Sequence, residues 1–294
     1  MDSSTTDLSR FRTDLIRYAK IADTEFNAEA VDPLLDHLGD LYSSGMITVR
    51  TTTEDASKRS VNFRYATHKI PHNAVERLES AGILKRSGRQ VECLADELIR
   101  TFPLWWGVDS SVGHGFEKIW AFFEDGVPLD NILALDHLPE AVRENRDHLI
   151  RYGLEKVYIV GLDFRNQSVN LYSGIAKGGH FTPGEVRSLM SDLSYQIPTE
   201  EELRRNADTF QYYYTFTWDS PAVRRLCFAM TASMETFPAH WHPLAEKFHK
   251  QAPVLPDQRA LIFNTTYGPK GGYLKMEADY TGTAATTIFD YWDK

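Results

Sequence analysis

The sequence predicts an α+β fold in which a ten-stranded antiparallel β-barrel is surrounded by helices. Five pairs of β-rich runs alternate with helical segments, with a structural repeat of about 50 residues. Turns of three to five residues join the runs within several pairs, and connections this short favour antiparallel hairpins. Closing five hairpins into one barrel removes exposed strand edges. An α+β sandwich remains open as the alternative.

Two amphipathic helices are predicted near the start of the chain, because apolar residues recur there at helical spacing. They lie on one face at Leu8, Phe11, Leu15 and Tyr18, and on another at Val31, Leu34, Leu35, Leu38 and Leu41. A third helix is predicted over 71–84, with Gly82 near its end. The paired strands are predicted at 45–53 with 60–67, 103–109 with 115–124, 155–163 with 167–174, 210–218 with 222–231, and 258–267 with 271–279.

Alternation within the strands predicts which residues face the barrel lumen. In the run 210–218, one face is aromatic (Tyr212, Tyr214, Phe216 and Trp218) and suits packing under helices. Polar residues occupy the opposite face, and the same division recurs in other runs. If all polar faces point inward, four cations meet in the lumen, at Arg64, Lys118, Arg225 and Lys275. Burying four cations together is unfavourable unless an anion such as a diphosphate neutralises them. A solvated sheet surface is the alternative interpretation.

Composition excludes several classes of protein. The net charge of -9 and the lack of a basic tail argue against nucleic acid as a partner. No apolar run reaches the length that a membrane span needs, and the polar start lacks a signal core, so we expect a cytoplasmic protein. The two cysteines, Cys93 and Cys227, are expected to be small buried hydrophobic residues. No Walker motif, G-x-G-x-x-G or G-x-S-x-G occurs. Zinc at His240, His242 and His249 is a minor alternative.

Four segments together resemble the soluble aromatic prenyltransferases of the αββα (ABBA) barrel type. They are 114–123 (HGFEKIWAFF), 151–157 (RYGLEKV) with 169–172 (VNLY), 225–228 (RLCF), and 272–277 (GYLKME) with 280–282 (YTG). The pattern is most similar to the metal-independent phenazine and 4-hydroxyphenylpyruvate members. The resemblance implies one barrel domain over 1–294, built from five αββα units. It also implies transfer of a dimethylallyl group, or a longer prenyl group, from its diphosphate to a carbon of an aromatic acceptor in secondary metabolism.

The same resemblance implies roles for individual residues. The diphosphate would be bound by Arg64, Lys118, Asn170, Tyr172, Tyr213, Arg225 and Lys275. Catalytic roles fall to Lys118, which stabilises the leaving diphosphate, and to Glu277, which would orient the acceptor or take its proton. The prenyl and acceptor pocket would be lined by Val49, Trp120, Gln211, Ala229 and Asp279. The aromatic rings of Trp120, Tyr172 and Tyr213 would shelter an allyl cation.

No metal or other cofactor is expected. A magnesium-dependent member carries an aspartate at the position of Asn62, and a neutral amide is a poorer magnesium ligand. Arg64, on the same face, can pair with phosphate oxygens in place of a metal ion. The chain also lacks a DDxxD motif. Phenazine, phenol and naphthalene acceptors all remain open. We expect a monomer, and the alternative function is a non-catalytic barrel that carries a hydrophobic small molecule.

Overall fold

The first strand of the sheet pairs with both the second and the last, so the sheet closes into a barrel. Every pairing is antiparallel and follows sequence order around the ring. The computed structural model describes residues 7–67, 72–176, 178–256 and 260–284. Its strands are β1 (Met46–Thr52), β2 (Asn62–Thr67), β3 (Trp105–Ser111), β4 (Gly115–Pro128), β5 (Lys156–Asp163), β6 (Ser168–Tyr172), β7 (Gln211–Thr217), β8 (Ser220–Ala232), β9 (Leu261–Gly268) and β10 (Gly271–Asp279).

Helices pack around the outside of this barrel, which confirms the predicted ten-stranded barrel and excludes the sandwich. Within the described residues they are α1 (Leu8–Ala22), α2 (Ala28–Ser44), α3 (Ala74–Ser80), α4 (Gln90–Thr101), α5 (Leu129–Leu133), α6 (Glu140–Glu144), α7 (Arg146–Arg151), α8 (Pro183–Asp192), α9 (Glu200–Ala207) and α10 (Pro243–Gln251). A short 3₁₀ turn, Ala239–Trp241, precedes α10.

The strands and N-terminal helices lie close to where the sequence pattern predicts them. The helix predicted over 71–84 is shorter, since it ends at Ser80. Residue 71, and positions 258 and 259 of the ninth predicted strand, lie outside the described residues. None of the helices in the described ranges is long and apolar enough to cross a bilayer.

The main hydrophobic core lies between the barrel and its helices. On β7, Tyr212, Tyr214 and Phe216 are fully buried in that core, whereas Tyr213 belongs to a separate apolar cluster inside the barrel. The helices are anchored by local caps; at the start of α1, for example, the Asp7 carboxylate accepts hydrogen bonds from two backbone N–H groups. The predicted division between an aromatic outer face and a polar inner face is therefore confirmed for β7.

The two ends of the barrel differ in chemistry. Because the strands are antiparallel and each pair is joined by a hairpin, all five hairpin turns lie at one end and the helical connections at the other. Inward-facing polar and charged residues are concentrated towards the hairpin end. Inward-facing aromatic and aliphatic residues are concentrated towards the opposite end. The lumen therefore divides along the barrel axis into a polar part and an apolar part.

Strict alternation fails at two strand irregularities near the hairpin end. On β4, Lys118 is opposite Asp109 but Phe116 is opposite Ser110, so Glu117 is an extra residue in the ladder. As a result, both Glu117 and Lys118 line the lumen. The register of β7 and β8 also shifts, and the neighbouring Arg224 and Arg225 both reach the lumen. These irregularities add charged groups that a period of two does not predict.

Candidate active site

A polar cavity of about 400 Å³ occupies the hairpin end of the lumen. We use the name polar cavity for the space lined by Lys118, Asn170, Tyr213, Arg225, Tyr273 and Lys275, together with further residues of the hairpin turns. Strands β4, β6, β7, β8 and β10 each contribute a side chain to this set. The closed barrel thus brings together groups that are up to 157 positions apart in the sequence, between residues 118 and 275.

Two inward-facing basic side chains of the polar cavity, Arg225 and Lys275, have no carboxylate partner among the described residues. The Arg225 guanidinium donates to the Tyr273 hydroxyl over 3.2 Å, and its Nε has no hydrogen-bond partner although it is buried. The Lys275 amine donates to the Tyr213 hydroxyl over 2.6 Å. Among the described residues, no carboxylate lies within ion-pair distance of Arg225 or Lys275. The charged form of a buried basic group without a counter-ion is unfavourable, and a bound anion would stabilise it.

Lys118 differs from these two cations because it is already paired. Its Nζ lies 2.7 Å from Asp163 on the neighbouring strand β5. Asp163 also accepts hydrogen bonds from the backbone and side chain of Asn166 in the β5–β6 turn. Although burial opposes ionisation, the attraction of Lys118 outweighs it and lowers the pKa of Asp163. Asp163 therefore stays ionised and is a full counter-ion for Lys118.

The environment of Lys275 disfavours its protonated form. Burial is the largest cause; the neighbouring Cys227 opposes it, and the positive charges of Arg50, Arg225 and Lys118 add to it. Together they lower the pKa of Lys275 to about 7. Lysine in water ionises near pH 10, so this amine is poised to change its charge at physiological pH.

A network of ion pairs crosses the middle of the lumen. Asp109 is completely buried and contacts the guanidinium groups of Arg50 at 3.0 Å and Arg64 at 3.4 Å. Arg64 also pairs with Glu277 at 3.2 Å. The Asn62 amide donates to Asp109 over 3.1 Å and to a second carboxylate, that of Glu117, over 2.8 Å. Two guanidinium groups and two carboxylates thus neutralise one another at the boundary between the two parts of the lumen.

An aromatic chamber lies beyond this boundary, at the helix-connection end. We define it by Trp105, Trp120, Phe122, Ile159, Tyr172 and Tyr213, which line it with other residues around a free volume of about 70 Å³. The rings of Tyr172 and Tyr213 stack with centroids 4.2 Å apart, and those of Trp120 and Tyr172 are 5.3 Å apart. Trp120, Tyr172 and Tyr213 line both spaces, so an aromatic wall runs from the polar cavity into the chamber.

Two glycines lie on either side of Trp120 and leave room for large side chains near it. Gly107 on β3 and Gly161 on β5 are the residues directly opposite Trp120 in the two neighbouring strands. A Cβ on Gly107 would lie 3.2 Å from the Phe122 ring, and one on Gly161 would lie 3.3 Å from the Asn170 side chain. The missing side chains leave the space in which large inward-facing groups fit side by side.

Arg64 points into the lumen, as strand alternation predicts, but it lies on the chamber side of the ion-pair network. This residue lines the aromatic chamber and not the polar cavity. Its guanidinium lies 3.6 Å from the centre of the Trp120 ring, and ion pairs with Asp109 and Glu277 hold it there. A diphosphate in the polar cavity would therefore be bound without Arg64 unless that network rearranges.

Two predicted pocket residues lie elsewhere, and two line the chamber. Val49 is wrongly placed by the sequence analysis: it points into the core beneath the helices, while its neighbours Thr48 and Arg50 line the lumen. Asp279 is also wrongly placed, because its carboxylate accepts hydrogen bonds from the backbone of residues 282 and 284. Gln211 and Ala229 do line the aromatic chamber.

Several site residues escaped the sequence analysis. Arg50 lies on the inward face of β1, and Glu117 and Arg224 line the polar cavity because their strands are irregular. Asp109 and Asp163 end their strands near hairpin turns, where an aspartate resembles an ordinary turn residue. The signal that could have found them is the need of each predicted buried cation for a counter-ion.

The histidine cluster has structural roles. His242 accepts a hydrogen bond from the backbone of Leu244 and so caps α10, and His249 contacts the carbonyl oxygen of Met234. His240 is exposed. Within the parts of the chain that the structure describes, no three His, Cys, Asp or Glu residues form a group that could hold a metal ion. The zinc alternative has no support in this geometry.

Comparisons with known proteins agree with this architecture. The family model described as aromatic prenyltransferase Orf2 matches residues 6–292. The chain is 25% identical over 280 residues to the 5,10-dihydrophenazine-1-carboxylate 9-dimethylallyltransferase of Streptomyces anulatus, covering 94% of each protein. It is 24% identical to the 4-hydroxyphenylpyruvate 3-dimethylallyltransferase of Streptomyces niveus, covering 98% of this chain and 88% of that protein. These matches confirm the resemblance found in the sequence.

Solved structures share the fold at low sequence identity. The NotF prenyltransferase in complex with brevianamide F and DMSPP superimposes with a TM-score of 0.58 at 12% identity, covering 91% of this chain and 92% of that one. The 6-dimethylallyltryptophan synthase of Micromonospora olivasterospora, with DMASPP and Trp, gives a TM-score of 0.55 at 10% identity, covering 99% of this chain and 98% of that one.

The buried charge network generates a prediction for stability. Asp109→Asn removes the carboxylate shared by Arg50 and Arg64, and breaking a buried ion pair in this way costs about 3–5 kcal/mol. We expect urea unfolding at neutral pH to show a loss of that size. The matched control is Asp130→Asn, which removes an exposed carboxylate that pairs with Arg146, and it should leave the unfolding midpoint nearly unchanged. Equal effects of the two substitutions would contradict the assigned role of Asp109.

Proposed function

The chain belongs to the aromatic prenyltransferase Orf2 family, and from this premise we propose that it transfers a dimethylallyl group from its diphosphate to a ring carbon of an aromatic acceptor, without a metal ion, in secondary metabolism. The observation that carries the proposal is the pair of buried basic side chains, Arg225 and Lys275, that lie beside an aromatic chamber and have no carboxylate partner among the described residues. A non-catalytic barrel that carries hydrophobic molecules needs such a chamber, but it does not need buried basic side chains without carboxylate partners.

The polar cavity suits the diphosphate of the donor. Lys118, Arg225 and Lys275 supply positive charge, and the Tyr213 hydroxyl lies beside Lys275. Asn170 donates from its amide nitrogen to Tyr172 over 3.3 Å, while its buried carbonyl oxygen has no partner. In this arrangement, the diphosphate occupies the hairpin end, and the prenyl chain extends along the aromatic wall into the chamber.

The chemistry would begin with ionisation of the donor. The bond between the allylic carbon and the diphosphate oxygen breaks, and both of its electrons remain on the oxygen. Negative charge therefore grows on the diphosphate, where Lys118, Arg225 and Lys275 are already in place. Charged groups that are fixed before the reaction stabilise such a transition state without having to reorganise.

The allyl cation would lie against the aromatic wall. Ring faces attract cations, and Trp120, Tyr172 and Tyr213 present their rings at the junction of the two spaces. All three rings are almost completely buried, which keeps water away from the cation. The guanidinium of Arg64 now occupies a position over Trp120, so the acceptor and Arg64 compete for the same ring face.

The acceptor would lie in the aromatic chamber beside Glu277. This carboxylate lines the chamber and is almost completely buried. It can accept a hydrogen bond from an acceptor hydroxyl or ring N–H, and can take the proton that the ring loses after the new carbon–carbon bond forms. Phenazines, phenols and naphthalenes with such a group are the proposed acceptor class. The Trp120 ring narrows the chamber and so favours the five-carbon donor over longer prenyl groups.

The position of Asn62 supports metal independence. Its amide nitrogen donates to Asp109 and Glu117, and its oxygen accepts a hydrogen bond from Ser60. A flipped amide would place its oxygen against two carboxylates, so the orientation follows from the chemistry of the neighbours. The N–H groups of Asn62 thus occupy the space between two carboxylates that a cation could otherwise bridge.

A product assay tests the proposal directly. The protein is incubated with dimethylallyl diphosphate, excess EDTA and a panel of phenazine, phenol and naphthalene acceptors, and products are identified by mass spectrometry. We expect an acceptor whose mass increases by one dimethylallyl group. Activity that disappears with EDTA and returns with magnesium would contradict metal independence. Absence of product with every donor, with or without magnesium, would contradict the proposed acceptor class.

A second prediction concerns Glu277. Glu277→Gln keeps the shape of the side chain but removes its basicity, so we expect kcat to fall by about 10²-fold with a hydroxylated acceptor. Donor affinity should change little, because Glu277 lies in the aromatic chamber and not in the polar cavity. Steady-state kinetics and donor titration measure the two effects separately. Glu155→Gln, at an exposed site, is the control, and unchanged turnover in Glu277→Gln would exclude the proposed role.

A further inference from the structure

We propose that Lys275 is a neutral amine in the unliganded enzyme and takes up one proton when the diphosphate donor binds. The inference rests on the proposed function, because it assumes that the donor diphosphate occupies the polar cavity. The proposed reaction does not itself require this step, in which the site gains its full positive charge only when the anion binds.

The geometry around Lys275 carries this inference. The side chain points into the lumen and is 9% exposed, so water solvates its amine poorly. Its Nζ donates to the Tyr213 hydroxyl over 2.6 Å and lies 3.8 Å from the Cys227 sulfur, and no carboxylate of the described residues lies within ion-pair distance of it. Burial of a charged amine with such partners is unfavourable, and the neutral form avoids that cost.

The strands that pack against Lys275 place cations, uncharged polar groups, a thiol and one carboxylate around its amine. The facing groups are Arg50 on β1, Lys118 on β4, Tyr213 on β7, Cys227 and Arg225 on β8, Asn264 on β9, and Tyr273 and Glu277 on β10 itself. Glu277 is the one carboxylate in this set, and it pairs with Arg64. The other nearby carboxylates, Asp109 and Asp163, pair with Arg50 and Lys118.

A second lysine in the same cavity shows what Lys275 lacks. Lys118 has a carboxylate counter-ion, that of Asp163, at 2.7 Å. Lys275 has no such partner among the described residues. The two lysines therefore differ: Lys118 is part of an ion pair before the ligand binds, whereas Lys275 becomes positively charged when the ligand binds.

The direction of the proton transfer follows from linkage. Burial and the neighbouring cations lower the pKa of Lys275 to about 7 in the free protein, and a bound diphosphate raises it by placing negative charge beside the amine. Between these two pKa values, binding takes up a proton from solvent, so donor affinity falls as pH rises. The loss approaches tenfold per pH unit above about pH 7. When the product diphosphate leaves, Lys275 returns the proton to water.

Isothermal titration calorimetry measures the uptake. The probe is the unreactive thiolo analogue of dimethylallyl diphosphate, titrated at about pH 8 in two buffers whose ionisation enthalpies differ. The second phosphate pKa lies near 6, so the ligand is already ionised at this pH and contributes little to the proton count. We expect the wild-type protein to take up close to one proton at about pH 8, and much less at about pH 6.

Two variants assign the proton to its residue. Lys275→Arg carries a guanidinium that stays charged, so it should bind the analogue with almost no proton uptake at about pH 8. Lys118→Arg is the matched control: it changes a lysine of the same cavity but leaves Lys275 intact, and should retain the uptake of close to one proton. If Lys275→Arg does not fold, the decline of wild-type affinity between about pH 7 and pH 9 provides the same test.

The outcomes separate the two proposals. Binding of the analogue without proton uptake at about pH 8 would overturn the inference and leave the proposed function intact. Full uptake in Lys275→Arg would also overturn it, because the proton would then go to another group. Failure of the wild-type protein to bind the analogue at any pH would overturn the proposed function, and the inference with it.

Discussion

Charge inside a closed barrel is the constraint on which this structure depends. A charged side chain in the lumen is removed from most of its water, so it needs either a partner of opposite sign or a ligand. In the middle of the lumen, Arg50 and Arg64 find carboxylates in Asp109 and Glu277. At the hairpin end, the partners of Arg225 and Lys275 among the described residues are tyrosine hydroxyls and a thiol. The pattern of pairing therefore distinguishes the charged groups that stabilise the barrel through ion pairs from the basic groups that can bind an anion.

The topology places these two kinds of group at different positions along the barrel axis. All five hairpin turns lie at one end, and the two strand irregularities near that end bring Glu117 and Arg224 into the lumen beside Lys118 and Arg225. The other end is lined by aromatic rings, among them the stacked pair of Trp105 and Phe122. A donor with a charged head and an apolar tail fits this gradient in a single orientation. Ionisation of that donor would then leave its cation on the aromatic side of the boundary.

Much of the fold followed from local patterns in the sequence. Short turns and alternating strands predicted the hairpins, and the aromatic outer face of β7 predicted the packing of helices around the barrel. The lumen position of Lys118, Arg225 and Lys275 also followed from alternation. Val49 was misplaced because the register of β1 directs Thr48 and Arg50 inward in its place, and no local pattern sets that register. Glu117 was missed because an irregular strand breaks the period of two, and the position of Arg64 depends on ion pairs between distant strands.

The central claim is that Arg225 and Lys275, the two basic side chains without carboxylate partners among the described residues, bind the donor diphosphate. A crystal structure of the protein with the unreactive thiolo analogue of dimethylallyl diphosphate tests it most directly. We expect the diphosphate to contact Lys118, Arg225 and Lys275, with the prenyl chain against Trp120 and Tyr172 and the ion pairs of Asp109 unbroken. A diphosphate bound instead to Arg50 and Arg64, with those ion pairs broken and the polar cavity empty, would contradict the account.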